Sequence, residues 1–315
     1  MFDVLSITGP IYIAIALGYA VTRAGLFDKA DMRTFGKFVI SIALPALVFR
    51  TLATRHIAEV LDPTYFLAYC GGSLLTFAGA FFLYRRLGLP DIASTFRAMG
   101  MSCSNSGFVG YPIALLTIGP VAGVGLSLNM VVENLVMVPL LLTLAERGRG
   151  AGGPWYRAAL DSLRRLAKNP LILAMAAGLL ISIAGWSLPA PALRAVDLFA
   201  GASAGISLFV IGGNLVGLPL RGLGRRVAPI AFGKLVVMPT AVALMLALLV
   251  WAGLPPLSPE LKAAAILMAA MPMMSIYPML AQAYGQEDVA APALLVTTLA
   301  SFFTLSSLLW VMRHV

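Results

Sequence analysis

The chain of 315 residues is 60% hydrophobic and only 11% charged, whereas soluble globular domains carry about 45–50% and about 25% of these classes. This composition excludes an ordinary water-soluble fold and indicates a protein embedded in a bilayer. The formal charge of +9 does not indicate nucleic-acid binding, because the basic residues are concentrated in the loops between apolar segments.

Apolar segments recur along the whole chain, each with the roughly 17–25 residues that cross ~30 Å of hydrocarbon as a helix. We predict ten membrane-spanning helices, called spans 1 to 10, and no soluble domain between them. Their ranges are 5–23, 34–54, 63–84, 93–118, 122–145, 170–187, 197–219, 227–251, 260–283 and 289–312.

The distribution of Lys and Arg predicts how these spans are oriented. With the N-terminus outside, 16 basic residues fall on the cytoplasmic side and five on the outer side, and Lys234 alone lies within a span. Basic loops are retained in the cytoplasm. We therefore expect an integral protein of the plasma membrane, the inner membrane in a bacterium, with both termini outside and the lipid bilayer as its surroundings.

A shift of about 160–166 residues relates the two halves of the chain. The matched pairs in spans 1 and 6 are Pro10 with Pro170, Gly18 with Gly178 and Gly25 with Gly185. Each half holds five spans, an odd number, so the second half must cross the membrane in the opposite sense. We predict a single transmembrane domain over 1–315, made of an inverted repeat at 1–146, a cytoplasmic linker at 147–168 and a second repeat at 169–315.

Spans 4 and 9 contain residues that interrupt a helix. Span 4 reads MSCSNSGFVGYPIALL at 101–116 and span 9 reads MPMMSIYPMLAQAYGQ at 271–286. Proline removes a backbone donor and clashes with the preceding turn, and freed backbone groups need partners in protein or water. We expect each break to leave a half-helix that begins near Pro112 or Pro278, with N–H groups that would bind an anion near the midplane.

Polar and small residues beside the two breaks are the substrate-binding candidates. They are Asn105, Ser106, Gly107, Gly110, Tyr111, Pro112, Ser275, Tyr277, Pro278 and Gln282. The alternative is that the Ser and Asn side chains satisfy loosened backbone groups or join neighbouring helices.

Glu133 is the only acidic residue near the centre of any span. A buried charge there is costly, so Glu133 is expected to bind a proton or a cation, or to form a structural hydrogen bond while neutral. The ion-coupling candidates are Glu133, Asn134, Ser104 and Thr298. The residues leave Na⁺, H⁺ and uniport driven by the membrane potential open, and no other cofactor and no metal site is expected.

Two further polar residues are secondary candidates. Lys234 lies about seven residues from the cytoplasmic end of span 8, so we expect its side chain to extend to the interface, with pairing to Glu133 or to an entering anion as the alternative. Asn214 follows two glycines in span 7, and close helix packing explains it as well as ligand contact does.

Several segments resemble, in the same order, those of the auxin efflux carrier family, which includes bacterial permeases for malate and malonate. The segments are GLFDKADMRTFGKFVISIALPALVFRTLA at 25–53, NSGFVGYP at 105–112, KNPLILAMAAGLLIS at 168–182, KLVVMP at 234–239, AILMAAMPMMSIYPMLAQAYG at 265–285 and TTLASFFTLSS at 297–307. The resemblance implies an all-α, ten-helix fold akin to bile-acid symporters and sodium/proton antiporters, in which spans 4 and 9 cross at unwound centres.

The same resemblance implies a scaffold of spans 1, 2, 6 and 7, a mobile unit of spans 3–5 and 8–10, and a homodimer. Asn105, Pro112 and Pro278 carry over as the substrate site. The loop at 146–169 is far shorter than the central loop of the plant carriers, so a small carboxylate is a better expected substrate than indole acetate.

We therefore expect a secondary transporter for a small organic anion, a carboxylate or dicarboxylate. The alternatives are a monovalent-cation antiporter or sodium-coupled symporter of the same fold, with Glu133 holding the ion, and a sensor that has lost transport. An enzyme is not expected, because His56 and His314 lie at span ends and the sequence shows no zinc or serine-base constellation.

Overall fold

The computed structural model describes residues 2–54, 62–149, 168–217 and 224–314. Within these ranges the chain forms twelve helices and no β-strand. The helices are α1 (Phe2–Arg23), α2 (Lys29–Ala53), α3 (Pro63–Arg86), α4 (Asp91–Ser102), α5 (106–118), α6 (122–148), α7 (Pro170–Ala184), α8 (Ala190–Asn214), α9 (224–251), α10 (Pro259–Ala269), α11 (Tyr277–Gln282) and α12 (Glu287–His314).

Every predicted span contains helix, and the two spans with predicted interruptions each consist of two helices. Span 4 is α4 and α5, and span 9 is α10 and α11. Span 2 begins five residues earlier than expected, at Lys29. Most of the predicted linker, residues 150–167, lies outside the described residues.

Among the described residues, six helical stretches are long and apolar enough to cross a membrane, and Pro170–Ala184 is a shorter apolar helix. Large apolar side chains lie open on the helix surfaces: Leu198, Trp251 and Phe303 expose 77%, 84% and 78% of their area. A lipid environment accommodates such surfaces, whereas a soluble monomer rarely exposes them. The chain is therefore a multi-pass membrane protein; the count of ten crossings and the inversion of the halves stay predictions.

Local sequence explains where two of these helices begin. The Asp28 carboxylate accepts hydrogen bonds from the backbone N–H groups of Ala30 and Asp31, and the Asp31 carboxylate accepts one from the backbone N–H of Asp28. This capping box starts α2. Asn169 caps α7 through Leu171, with Pro170 at the first helical position.

Four helices contain a short π-helical turn, and each turn ends two residues before a proline. The turns are Val39–Ala43, Ser106–Gly110, Val132–Met137 and Gly233–Val237, and the prolines are Pro45, Pro112, Pro139 and Pro239. In a regular α-helix the proline ring would meet the carbonyl four residues back, which lies inside each of these turns. The wider turn lets the helix continue past the proline, and π turns are frequent at functional sites.

The described helices divide into two compact units. Unit 1 comprises Met1–Asp62, Gly107–Leu128 and Ala167–Pro219, and unit 2 comprises Pro63–Ser106, Asn129–Leu166 and Leu220–Val315. Unit 1 holds spans 1, 2, 6 and 7, the expected scaffold. It also holds 107–128, parts of spans 4 and 5 that the resemblance placed with the mobile spans, because α5 packs against α1 and α8. Which spans move stays a prediction.

Unit 1 is held together by helices that approach closely at glycines. A Cβ on Gly18 would lie 2.0 Å from the carbonyl oxygen of Phe209, and a Cβ on Gly178 would lie 2.9 Å from that of Phe49. Both glycines, and both phenylalanines, are separated by 160 residues, the predicted repeat shift. The contact of α1 with α8 and that of α7 with α2 are thus related by the predicted shift, while the repeat itself stays a prediction.

Unit 2 packs α3 against α9 through Gly72, whose Cβ would lie 2.6 Å from the Val242 side chain. At one end of this unit the Tyr284 hydroxyl donates to Glu146 Oε1 over 2.5 Å. The Arg149 guanidinium stacks on the Tyr284 ring, 3.9 Å from its centroid. The end of α6 is thus tied to the segment after α11, two regions that the predicted topology places on the cytoplasmic side.

Candidate functional site

The two interrupted spans meet at their breaks inside unit 2. After α4 ends at Ser102, Cys103 is extended, with φ −107° and ψ 128°. Ser104 forms an antiparallel bridge with Met273, and the Asn105 backbone N–H donates to the Pro272 carbonyl over 2.8 Å. The backbone groups freed by each break are therefore partly satisfied by the other break, as a lipid-embedded protein requires.

Asn105 and Ser275 join the two breaks through their side chains. Asn105 Nδ2 donates to Ser275 Oγ over 2.6 Å. Asn105 is buried, with 7% of its area exposed, while Ser275 is exposed. An amide and a hydroxyl at an accessible position can donate hydrogen bonds to a carboxylate.

Glu133 is buried close to this crossing, on the π turn that precedes Pro139. Its Oε1 accepts hydrogen bonds from the Tyr69 hydroxyl over 3.0 Å and from the Ser106 hydroxyl over 2.8 Å. The Ser106 oxygen in turn accepts from Asn129 Nδ2 over 3.4 Å. Because Ser106 follows Asn105 directly, the carboxyl group of Glu133 is one residue removed from the candidate substrate contact.

Lys234 does not extend to the interface, so that expectation was wrong. The residue is 0% exposed, and its Nζ donates to Ser104 Oγ over 2.8 Å and to the Ala269 carbonyl over 2.6 Å. Ala269 is the last residue of α10, where carbonyls have no partner within the helix and the helix dipole is negative. The break therefore attracts the ammonium group inward.

Groups that can carry opposite charges thus lie two residues apart along the break. Ser104 accepts a hydrogen bond from the Lys234 side chain, and Ser106 donates one to the Glu133 carboxyl group. Either charge alone would be costly to bury at membrane depth. An amine and a carboxyl group buried on the two sides of Asn105 can offset each other's charge.

The predicted half-helix beginning at Pro112 was wrong. Helix α5 begins six residues earlier, at Ser106, because the π turn Ser106–Gly110 carries the helix past Pro112. Pro278 does lie at the start of a half-helix, as the second residue of Tyr277–Gln282. The prolines indicate N-terminal helix ends, but the break in span 9 also leaves a C-terminal end at Ala269, which binds the Lys234 ammonium.

The remaining substrate candidates divide between the units. Gly107, Gly110, Tyr111 and Pro112 are buried and belong to unit 1, whereas Ser275, Tyr277, Pro278 and Gln282 belong to unit 2. Tyr277 is 1% exposed and packs beside Gly100, so it contributes to the core of unit 2. Gln282 is exposed at the end of α11.

Three other candidates are placed by different contacts. Asn134 Nδ2 donates to the Met130 carbonyl over 2.8 Å, and the Thr298 hydroxyl donates to the Leu294 carbonyl over 2.7 Å. Both side chains therefore bond their own helices. Asn214 is exposed at the end of α8.

Tyr69, Tyr65 and Asn129 complete the Glu133 network and were not among the predicted site residues. The Tyr65 hydroxyl donates to Asn129 Oδ1 over 3.1 Å. Two tyrosines four residues apart on one face of an apolar span were the available signal. In the described parts of the chain no three His, Cys, Asp or Glu residues group as a metal site.

Interrupted helices that bring buried polar and charged groups together within an apolar, multi-pass protein are characteristic of membrane transporters. A family model described as membrane transport protein, representing the auxin efflux carrier family, matches residues 5–152 and 156–311. The chain belongs to this family.

Named relatives agree with this assignment. The chain is 28% identical to the "Putative malonate transporter" of Rhizobium meliloti strain 1021 over 315 residues, covering 99% of this chain and 97% of that protein. It is 27% identical to the "Uncharacterized transporter YfdV" of Escherichia coli K12 over 247 residues, covering 75% of this chain and 76% of that protein.

Proposed function

We propose that this chain is a secondary transporter that moves a small organic anion, a carboxylate or dicarboxylate, by elevator-type alternating access. The observation that carries the proposal is the Asn105–Ser275 pair at the crossing of two broken helices, with the Lys234 ammonium behind Ser104. The relative named as a malonate transporter supports the same substrate class.

A carboxylate would bind by replacing the hydrogen bond between Asn105 and Ser275. The Asn105 amide and the Ser275 hydroxyl then donate to the carboxylate oxygens, as neutral donors that bind an anion without holding it permanently. Lys234 contributes a positive field from behind the break. It is already engaged by Ser104 and Ala269, so it attracts the anion without forming a direct salt bridge.

The grouping of the site residues is compatible with an elevator mechanism. Asn105, Ser275, Glu133 and Lys234 all belong to unit 2. A unit that moved as a body would carry this cluster with its hydrogen bonds intact.

Glu133 is the proposed coupling residue, with H⁺ or Na⁺ as the ion. Protonation or cation binding at its carboxylate would compete for the bonds from Tyr69 and Ser106, and Ser106 is adjacent to Asn105. Uniport of an anion driven by the membrane potential, worth ~2.3 kcal/mol per charge per 100 mV, is the alternative mode.

We further place the protein in a bacterial inner membrane as a homodimer, with both termini outside. The predicted excess of basic residues on the cytoplasmic side supports the orientation. Labelling of single cysteines introduced at residues 26 and 253 tests it: the first is expected to be accessible from the cytoplasm and the second from outside.

Exchange of labelled malonate by the purified protein in liposomes tests the transport proposal. Asn105→Ala is expected to abolish exchange, because it removes the amide donor at the crossing. Asn214→Ala is the matched control: it makes the same change at an exposed helix end, and is expected to exchange normally.

Three results would count against parts of the proposal. Absence of exchange by the wild-type protein with malonate, malate and succinate would oppose the substrate class. Normal exchange by Asn105→Ala would oppose the site. Na⁺ or H⁺ flux without an organic anion, lost in Glu133→Gln, would favour the cation antiporter, for which the buried Glu133 carboxyl group is the supporting observation.

A further inference from the structure

A cavity of about 400 Å³ lies within unit 1, between α2, α5 and α8. Most of its wall is apolar, and its polar side includes Arg50, Asp197, Tyr111 and the threonines at 51 and 54. Such a volume is suitable for a small ligand together with a few waters. None of the residues at the crossing of the broken helices lines it.

The cavity forms where α5 ends. Gly119 closes this helix in a left-handed conformation, with φ +74°, and Pro120 directs the chain away in a short 3-10 turn. The end of α2 and the start of α8 supply the other walls. All three helix ends are on the outer side of the predicted topology.

Arg50 and Asp197 form an ion pair across this cavity, with Arg50 Nε 2.5 Å from Asp197 Oδ1. Their side chains are 50% and 39% exposed, so solvent reaches both side chains, while Oδ1 of Asp197 is itself buried. Nε is the nitrogen that contacts this oxygen. Among the described residues, Nη1 and Nη2 of Arg50 have no hydrogen-bond partner.

This geometry determines which ligand the cavity would accept. The two Nη groups of an arginine form a planar fork that matches the two oxygens of a carboxylate. Tyr111 lies within electrostatic reach of Arg50 and lines the same cavity. Asp197 opposes the binding of a second negative charge, so an anion held here would bind weakly and leave readily.

We propose that the Arg50 cavity is an outer docking site for small carboxylates. The site holds the anion before it reaches the crossing of the broken helices. The site rests on the proposed function for its role in transport, although its binding chemistry is independent of it. Asp197 limits its affinity by competing for the guanidinium. A purely structural ion pair between α2 and α8 is the competing explanation.

The two explanations predict different effects on the KM for external malonate when Arg50 and Asp197 are replaced one at a time. Arg50→Gln removes the anion's partner, and Asp197→Asn removes its competitor. If the cavity is a docking site, Arg50→Gln raises the KM for external malonate roughly three- to tenfold and Asp197→Asn lowers it. If the pair is only structural, both substitutions lower the stability of the protein and neither lowers the KM.

Exchange is measured in right-side-out and everted membrane vesicles with malonate titrated on the external face. The Arg50→Gln effect is expected in right-side-out vesicles only, with Vmax little changed. Arg85→Gln is the matched control, since Arg85 Nε pairs with Asp91 Oδ1 over 2.7 Å at similar exposure but not at this cavity. This control is expected to leave the KM unchanged at both faces.

Direct binding separates this proposal from the transport proposal. Purified Asn105→Ala protein is titrated with labelled malonate, and residual binding that disappears in Asn105→Ala/Arg50→Gln supports the docking site even if no transport is found. An unchanged KM in Arg50→Gln, a shift of the same sign in Asp197→Asn, or no Arg50-dependent binding would each overturn it.

Discussion

Lys234 and Glu133 provide the sharpest test of how the crossing is built. Lys234→Met removes an ammonium that makes hydrogen bonds of 2.8 Å and 2.6 Å to Ser104 and the Ala269 carbonyl. Charge-assisted bonds of this kind contribute about 1.5–3 kcal/mol each. The substitution also removes the positive charge whose field reaches the buried Glu133 carboxyl group.

Removing one partner of a buried charge pair costs about 3–5 kcal/mol, whereas replacing both partners by neutral groups of similar size is often close to neutral. We therefore expect Lys234→Met to lower the free energy of unfolding by about 3–5 kcal/mol. Adding Glu133→Gln should restore at least about 2 kcal/mol of that loss. Glutamine keeps an oxygen that accepts from Tyr69 and Ser106.

The assay is reversible unfolding in lipid–detergent micelles for the wild type, both single variants and the double variant. A coupling energy above about 1 kcal/mol supports a functional charge pair at the crossing. Additive single effects would refute the reasoning, and so would a Lys234→Met variant as stable as the wild type. The conclusion does not depend on transport activity, so it stands apart from the substrate proposal.

Two further predictions concern packing and the Glu133 network. Gly212→Ala should prevent α8 from packing on α1, because its Cβ would lie 1.9 Å from the Ile15 carbonyl oxygen. Gly205 lies on the same helix with open space around it, so Gly205→Ala is the control and should be neutral in a thermal-unfolding assay. Tyr69→Phe should destabilise the fold by about 1–3 kcal/mol, because Glu133 loses a buried donor. An unchanged melting temperature would contradict this.

That spans 4 and 9 are interrupted could be predicted from the sequence, while the point at which helix resumes in span 4 could not. Proline and glycine act locally, so Pro112 and Pro278 were sufficient to expect interruptions in spans 4 and 9. Whether a proline ends a helix or is passed by a π turn depends on packing around it. At Pro112 a π turn carries the helix past the proline, so the helix begins at Ser106.

The candidate site shows the same division. Asn105 was singled out from its place beside the break, and its bond to Ser275 joins residues 170 positions apart in the chain. Asn134, Thr298 and Asn214 shared its polarity, but their contacts turned out to be local or exposed. Polarity in an apolar span indicates a buried partner without identifying it.

Composition, segment length and the order of the motifs are properties of the chain read in one dimension, so they are enough to indicate a multi-pass membrane transporter of the auxin efflux carrier family. The burial of Lys234 at the end of α10, bonded to Ser104 and two residues from the Ser106 that bonds Glu133, depends on the tertiary structure. The physical reason is that an unpartnered helix end acts as a partial charge only where the chain folds to present it, and no local pattern records which distant side chain will meet it.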